Sequence, residues 1–330
     1  MARTAPTHQP VPTIPRPLLR ILRWAFVLAV VGAALWALRG QLPHVLAVAD
    51  GVHLRWGLVA IASAVVLLTY LVLIESWRQV LAALGGALGR ADAMRIWFGS
   101  NLARWLPGAF WQLGAMTEMT RRRGVPVAVS TGSAMLVTVV NLFTGLAVSC
   151  VFALPVLRER FGARGWWIVG LGVAALALAP LIVPRLGAMA ARVTGREITL
   201  PRFGARAVLI AALSTTAAWL AYGVAFWMMA HAVLPGDTRT LSGCIALYTL
   251  SYLTGLLNPA PAGIGAAEGA MVVLAPQLGV ATQAEAAVLS IIVRLWRTLL
   301  EVAPGVIALL WSGRDANDET DQPSRGSRIP

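Results

Sequence analysis

Lysine is absent, so all 27 basic residues are arginines, and only 14 acidic residues stand against them. Charged residues make up 12% of the 330 positions, about half the share of a soluble domain. That scarcity excludes an ordinary water-soluble globular chain. With 58% hydrophobic residues and a mean hydropathy of +0.73, the sequence reads as a multi-span membrane protein. Cysteine is nearly missing too: Cys150 and Cys244 both fall inside apolar runs, which excludes a disulfide framework and fits small buried residues. The four histidines, His8, His44, His53 and His231, show no ligand spacing and no Cys or carboxylate cluster beside them, so neither a metal site nor a cofactor is expected. The net charge of +13 is not gathered into a basic stripe with interleaved aromatics, which argues against a nucleic-acid partner. Most arginines lie between apolar runs, the pattern of cytoplasmic loops beside anionic headgroups.

Residues 1–17 are rich in Pro, Thr and Arg without periodicity and read as a cytoplasmic tail. Six apolar runs follow, at 18–38, 56–77, 127–154, 166–183, 207–233 and 284–311, each near or above the roughly 20 residues that carry a helix across a bilayer. The first follows Arg16, Arg20 and Arg23 and resembles a signal peptide, but no small-residue cleavage site succeeds it, so it is read as a span. Two further regions are apolar but broken: 91–121 at Pro107-Gly108, and 241–277 at 258–265.

Arginine placement decides how the broken regions run. If each enters and leaves by one face, 18 arginines fall on one side, 6 on the other, and Arg104, Arg294 and Arg297 lie at membrane depth. Full crossings would move the Arg121 to Arg123 triplet outward and erase the bias, so re-entrant hairpins with both termini cytoplasmic are expected. An internal repeat agrees: at a constant offset of 155, Gly108 matches Gly263 and Gly124-Val125 matches Gly279-Val280. The expected fold is an all-α polytopic membrane protein with six full spans plus two re-entrant helical hairpins in two inverted-topology halves, about 18–154 and 166–313. A polar cytoplasmic tail, 314–330, closes it.

"LLNPAPAGIGAAEG" at 256–269 cannot continue a helix through Pro259 and Pro261. Non-helical backbone at membrane depth must be buried in protein or line a wet cavity. The arms after the two breaks, from about residues 109 and 262, would aim helix N-termini inward, where free N–H groups favour anions. Gly263 and Gly265 permit positive φ or close packing at such a tip, and both readings stay open. "GIGAAEG" is not a dinucleotide fingerprint, because no strand precedes it and its spacing ends in Glu268.

Arg294 sits about ten residues, or roughly 15 Å, inside its run, near mid-bilayer. Arg297 and Glu301 follow at i+3 and i+7 on the same face. An ionised side chain there costs on the order of 3 kcal/mol, so partners are expected: Glu268 for Arg294, Glu301 for Arg297, and Glu118 for Arg104. Whether Glu268 and Arg294 form only a structural lock stays open at this level. Trp111 and Gln112 offer a stacking face and an amide donor, or core packing. Asn258 either contacts a ligand or caps the broken helix. Glu75 and Arg78 flank a span end and are read as snorkelling to the interface.

"LPGAFWQLG" with "GVPVAVS", and "NPAPAGIGAAEG" with "LGV" and a span carrying Arg294, resemble the flippase-like integral membrane family related to the transmembrane region of lysylphosphatidylglycerol synthetase. The resemblance runs from about residue 18 to 311. It implies a bacterial cytoplasmic-membrane protein that binds or translocates an anionic lipid, a phospholipid or a polyprenyl-phosphate-linked one, between leaflets. It carries Pro107, Gly108, Trp111 and Gln112 from the first motif, and Pro261, Gly263, Gly265, Glu268 and Arg294 from the second. Relatives often read Pro-Gly-Gly where this chain has Pro261-Ala262-Gly263, which is expected to stiffen the tip. The chain ends soon after its last run, so lysine transfer to lipid is not expected. The substrate-binding set is completed by Arg104, Asn258, Arg297 and Glu301. No carboxylate pair stands clear of arginine and no Ser/His/Asp set is visible, so an enzyme is not expected. The alternatives are a membrane partner or enzyme in lipid-carrier-linked glycosyl transfer, with a soluble glycosyltransferase or lipid-modifying enzyme as partner, and a non-transporting scaffold.

Overall fold

In the computed structural model of the chain, the described residues are 54–105, 111–163, 204–236, 239–258 and 260–318, with the isolated positions 32, 166, 167, 170 and 174. The expected spans at 18–38 and 166–183, the N-terminal tail, and Pro107 and Gly108 lie outside the described residues, apart from those isolated positions. Among the described residues every regular element is a helix. They are α1 (Trp56–Ala83), α2 (Arg90–Asn101), a 3-10 turn (Leu102–Trp105), α3 (Trp111–Arg121), α4 (Val127–Phe152), α5 (Leu154–Phe161), α6 (Ala205–Val233), α7 (Leu241–Leu257), a second 3-10 turn (Pro261–Gly263), α8 (Ala266–Leu274) and α9 (Gln283–Asp318).

Helices α1, α4 and α6 are long and apolar enough to cross a membrane. Their sequences hold long runs of Leu, Val and Ala, and their 26 to 29 residues correspond to about 40 Å at 1.5 Å per residue. Helix α9 has the length, with 36 residues, but its middle carries Arg294, Arg297 and Glu301. The helices bury hydroxylated residues together with large apolar ones such as Trp77, Leu81, Leu136 and Phe226, and leave Leu67, Leu68, Leu71 and Val72 exposed along α1. Such exposed leucines suit a lipid surrounding, since lipid chains accept leucine as readily as protein does. Hydroxyls tie the bundle: Trp77 Nε1 donates to Ser133 Oγ at 3.2 Å, Thr144 Oγ1 to Thr215 Oγ1 at 2.9 Å, and Trp296 Nε1 to Ser63 Oγ at 2.8 Å.

Helix α1 lies along α6, while α4, α6 and α7 pack on one another. The broken regions fold back on themselves, with α2 against α3 and α7 against α8. Helix α9 touches α2, the first 3-10 turn and α8, so it borders both breaks. The two 3-10 turns also meet: Leu102 and Trp105 pack with Ala262, Ile264 and Val302.

The two arms correspond closely. They match at their C-terminal ends. After α3, Gly124 (φ +81°) and Val125 donate to the carbonyls of Arg121 and Thr120; after α8, Gly279 (φ +64°) and Val280 donate to those of Pro276 and Ala275. Each partner pair is again 155 apart. Both arms therefore stop by the same left-handed glycine turn, which satisfies carbonyls that a helix end leaves open. Val125 and Val280 are both buried under these turns.

Candidate functional site

The second break is built by a polar side chain and two glycines. Helix α7 ends at Leu257, where Asn258 Oδ1 accepts the Ala260 N–H at 2.8 Å. Asn258 thus stabilises the exit turn of the helix. Gly263 has φ +67° and lies directly on Gly255 of α7; a Cβ there would come within 2.7 Å of Gly255 Cα and closer to its carbonyl oxygen. No side chain fits between these two backbones. Ala262 is left-handed as well, at φ 49° and ψ 24°, a conformation that costs an L-residue about 1–2 kcal/mol. Pro261 forms part of the same turn.

Glu268 has two roles. Its Oε2 accepts the Gly265 N–H at 2.8 Å, closing the start of α8, where Gly265 has φ +85°. Its Oε1 lies 3.2 Å from Arg294 Nη1. The Gly265 N–H, expected to be open to an anion, is therefore already occupied by a carboxylate. Arg294 bridges the two breaks, because its guanidinium also stands 5.7 Å over the ring of Trp105 in the first 3-10 turn.

Arg104 corrects the sequence reading. Glu118 is engaged by Arg121 at 2.8 Å and Arg122 at 2.9 Å on the exposed end of α3, too committed to reach the first break. Instead Arg104 Nη1 donates to Glu301 Oε2 at 3.3 Å, and Nη2 to Tyr252 Oη at 3.5 Å. Glu301 Oε1 accepts from Arg297 Nη2 at 3.2 Å, as its helix spacing required. One buried carboxylate thus holds an arginine from each half of the chain. Arg297 lies over Tyr252 at 4.6 Å and Tyr248 at 5.6 Å, rings that favour a cation by their quadrupoles. Tyr70, Tyr222, Tyr248 and Tyr252, which are all the tyrosines in the chain, form one chain of ring contacts beside it.

Gln112 Nε2 donates to Asn101 Oδ1 at 2.6 Å, joining the start of α3 to the end of α2 across the first break. It acts as a clip there. Trp111 is 56% exposed and does not line the cleft described next; the aromatic beside Arg294 is Trp105. Glu75 and Arg78 form an ion pair at 2.7 Å at the span end, consistent with an interfacial placement.

A small, partly open cleft lies between α7, α8 and α9 and is lined by Glu268, Arg294 and Arg297 with Tyr248, Ser251 and Tyr252. The structure thereby brings together five sequence-predicted residues, Arg104, Glu268, Arg294, Arg297 and Glu301. Sequence reasoning missed Trp105, Tyr248, Ser251 and Tyr252. Their signal was present in the i, i+3, i+4 spacing of the last three on one helix face. Among the described residues no cluster of three metal-ligating side chains occurs.

A comparison with curated proteins gave no match. The family model described as the lysylphosphatidylglycerol synthase TM region matches residues 20–305. Together with the apolar helices, that match makes this a multi-pass membrane protein with a lipid-related role. Because the match spans most of the sequence and takes in both broken regions, the chain belongs to the lysylphosphatidylglycerol synthase transmembrane-region family.

Proposed function

We propose that the protein is a flippase-like transporter that binds an anionic lipid headgroup between its two breaks and passes it between leaflets. The observation that carries this reading is the meeting of both breaks beside three partly buried arginines and two carboxylates, next to a cleft. Ionisable groups at membrane depth mark substrate paths. In this reading the two broken regions are re-entrant hairpins within six full spans. The shared 155-residue correspondence of the arms supports halves of inverted topology, as in transporters that rock one repeat against the other. The arginine bias of the sequence supports cytoplasmic termini in a bacterial plasma membrane. The headgroup rests on Arg294, while its tails remain in lipid. Glu268 orients Arg294 and competes with the phosphate for it.

No step in this reading breaks a covalent bond, so the protein is taken as a transporter and not an enzyme. The test is headgroup translocation in proteoliposomes by Arg294→Ala and Glu268→Gln. The second change keeps an oxygen for the Gly265 N–H and removes only the charge. Both variants are expected to fold and to lose translocation. Wild-type rates in both would remove these residues from any transport path.

A further inference from the structure

At one end of the bundle each of three acidic side chains is shared by more than one arginine. Glu75 on α1 accepts from Arg78 at 2.7 Å and stands 3.5 Å from Arg90 at the start of α2. Asp92 on α2 pairs with Arg123, just past α3, at 2.7 Å and with Arg95 at 3.9 Å. Glu118 on α3 takes Arg121 at 2.8 Å and Arg122 at 2.9 Å. Leaving Arg95 aside, Arg78, Arg90, Arg121, Arg122 and Arg123 share these carboxylates, so positive charge is in excess by two among the described residues. The pairs run from α1 through α2 to the end of α3, which makes one patch across the base of the first broken region. It faces outward, with the side chains of Arg90 and Arg122 79% and 65% exposed.

Helix α9 brings the opposite charge to the same end. It runs antiparallel along α2: Glu301 meets Arg104 just past α2, and one turn later Gly305 lies against Leu102 and the Phe98 carbonyl, where an added Cβ would come within 2.8 and 3.0 Å of them. From Gly305 to Asp315 the rise is about 15 Å, and from Phe98 back to Arg90 it is about 12 Å. The helix continues to Asp318, so its backbone reaches the level of the patch. Residues 315–321 read DANDETD, which places Asp315, Asp318, Glu319 and Asp321 in one short run with no arginine among them, in a chain of only 14 acidic residues. The side chains of this run, and all residues past Asp318, lie outside the described residues.

We propose that the acidic segment 315–321 docks on the patch formed by Arg90, Arg121, Arg122 and Arg123, fastening the C-terminal end of α9 to the base of the first broken region. Tethering decides the occupant. Because α9 holds the segment within reach, its effective concentration is on the order of millimolar, which a separate partner rarely matches. Each exposed pair is weak, about a factor of two, so the contact draws its strength from number and loosens as salt screens it. Arg104 and Glu301 already join α9 to the first broken region at depth; the dock joins them a second time at the base, whatever the cargo.

The test is crosslinking of the full chain in neutral detergent micelles. Ala91→Cys, at an exposed position of α2, is combined with Thr320→Cys in the segment, while Cys150→Ala and Cys244→Ala remove the native thiols. A short bismaleimide is then added, and the rate of crosslinking within one chain reads the docked share. Three or four weak pairs together predict a roughly tenfold lower rate when Asp315→Asn, Asp318→Asn, Glu319→Gln and Asp321→Asn are combined, and a similar loss in about 0.5 M salt. Arg90→Gln with Arg122→Gln is expected to give an intermediate loss without unfolding, since both side chains lie mostly in solvent. An unchanged rate in the neutralised segment overturns the dock. Crosslinks that join two copies assign the patch to a second copy and overturn it as well. In nanodiscs the crosslink is expected to persist both in phosphatidylcholine alone and with phosphatidylglycerol added; its loss only on that addition gives the patch to the anionic lipid surface and overturns the proposal.

Discussion

Glu301→Gln is the most exacting perturbation of the buried cluster. The carboxylate accepts from Arg104 at 3.3 Å and Arg297 at 3.2 Å, one guanidinium on each oxygen. Neutralising it raises the excess of positive charge in the cluster from one to two and leaves Arg104 facing only Tyr252. Removing one partner of a buried pair costs about 3–5 kcal/mol because the other charge is stranded. The glutamine oxygen still accepts one hydrogen bond, so the lower end, ~3 kcal/mol, is expected here. For a chain of 330 residues, at about 2.1 cal/mol/K of unfolding entropy per residue, that corresponds to a fall in Tm of roughly 4 °C. Arg104→Gln alone should cost less, since Glu301 keeps Arg297 and the cluster becomes neutral. The double variant Arg104→Gln with Glu301→Gln restores the wild-type charge count, so its Tm should exceed that of Glu301→Gln alone, with a coupling of about 1–3 kcal/mol. Thermal melts of all four proteins in one detergent close the cycle. A Glu301→Gln protein that melts with the wild type, or a double variant that shows the plain sum of the singles, would refute the idea that one carboxylate ties the two breaks together.

Gly263→Ala should disrupt the second break, because its Cβ meets the Gly255 backbone, which cannot rotate away as a side chain can; a loss of about 1–3 kcal/mol is expected, read as a lower Tm and as faster cysteine labelling at position 260. Ala262→Gly should move the other way. Relief of the left-handed strain, about 1–2 kcal/mol, outweighs the roughly 0.5–1 kcal/mol of chain entropy that glycine adds, so its Tm should match or exceed that of the wild type, and a clear drop would show that Ala262 is not strained.

Much of the fold was legible because membrane crossing is a local property. The runs expected at 56–77, 127–154 and 207–233 appear as α1, α4 and α6 with ends shifted by a few residues to about a turn and a half. Proline and glycine marked the second break, since they remove backbone donors or favour left-handed turns wherever they fall; Pro107 and Gly108, which marked the first, lie outside the described residues. The 155-residue offset, read from glycine and valine identities, reappears as matching terminal hydrogen bonds. Helix spacing paired Arg297 with Glu301, and proximity of the tip to the last run paired Glu268 with Arg294.

Other features had no local signature. Glu118 stood closer in sequence to Arg104 than Glu301 did, yet Glu301, 197 positions away, is the acid that the first break meets. Periodicity identifies which side chains share a helix face; it does not identify the helix that packs there. For the same reason the four tyrosines looked scattered and Ser251 looked ordinary.

By itself the sequence determined that this chain lives in a membrane, where its helices interrupt, and which charges lie too deep to stay alone, because hydropathy and backbone chemistry act residue by residue. Only the tertiary structure decided which charges answer one another. Those outcomes depend on the contact of α9 with both breaks, and in a medium of low dielectric the nearest opposite charge in space governs the energy.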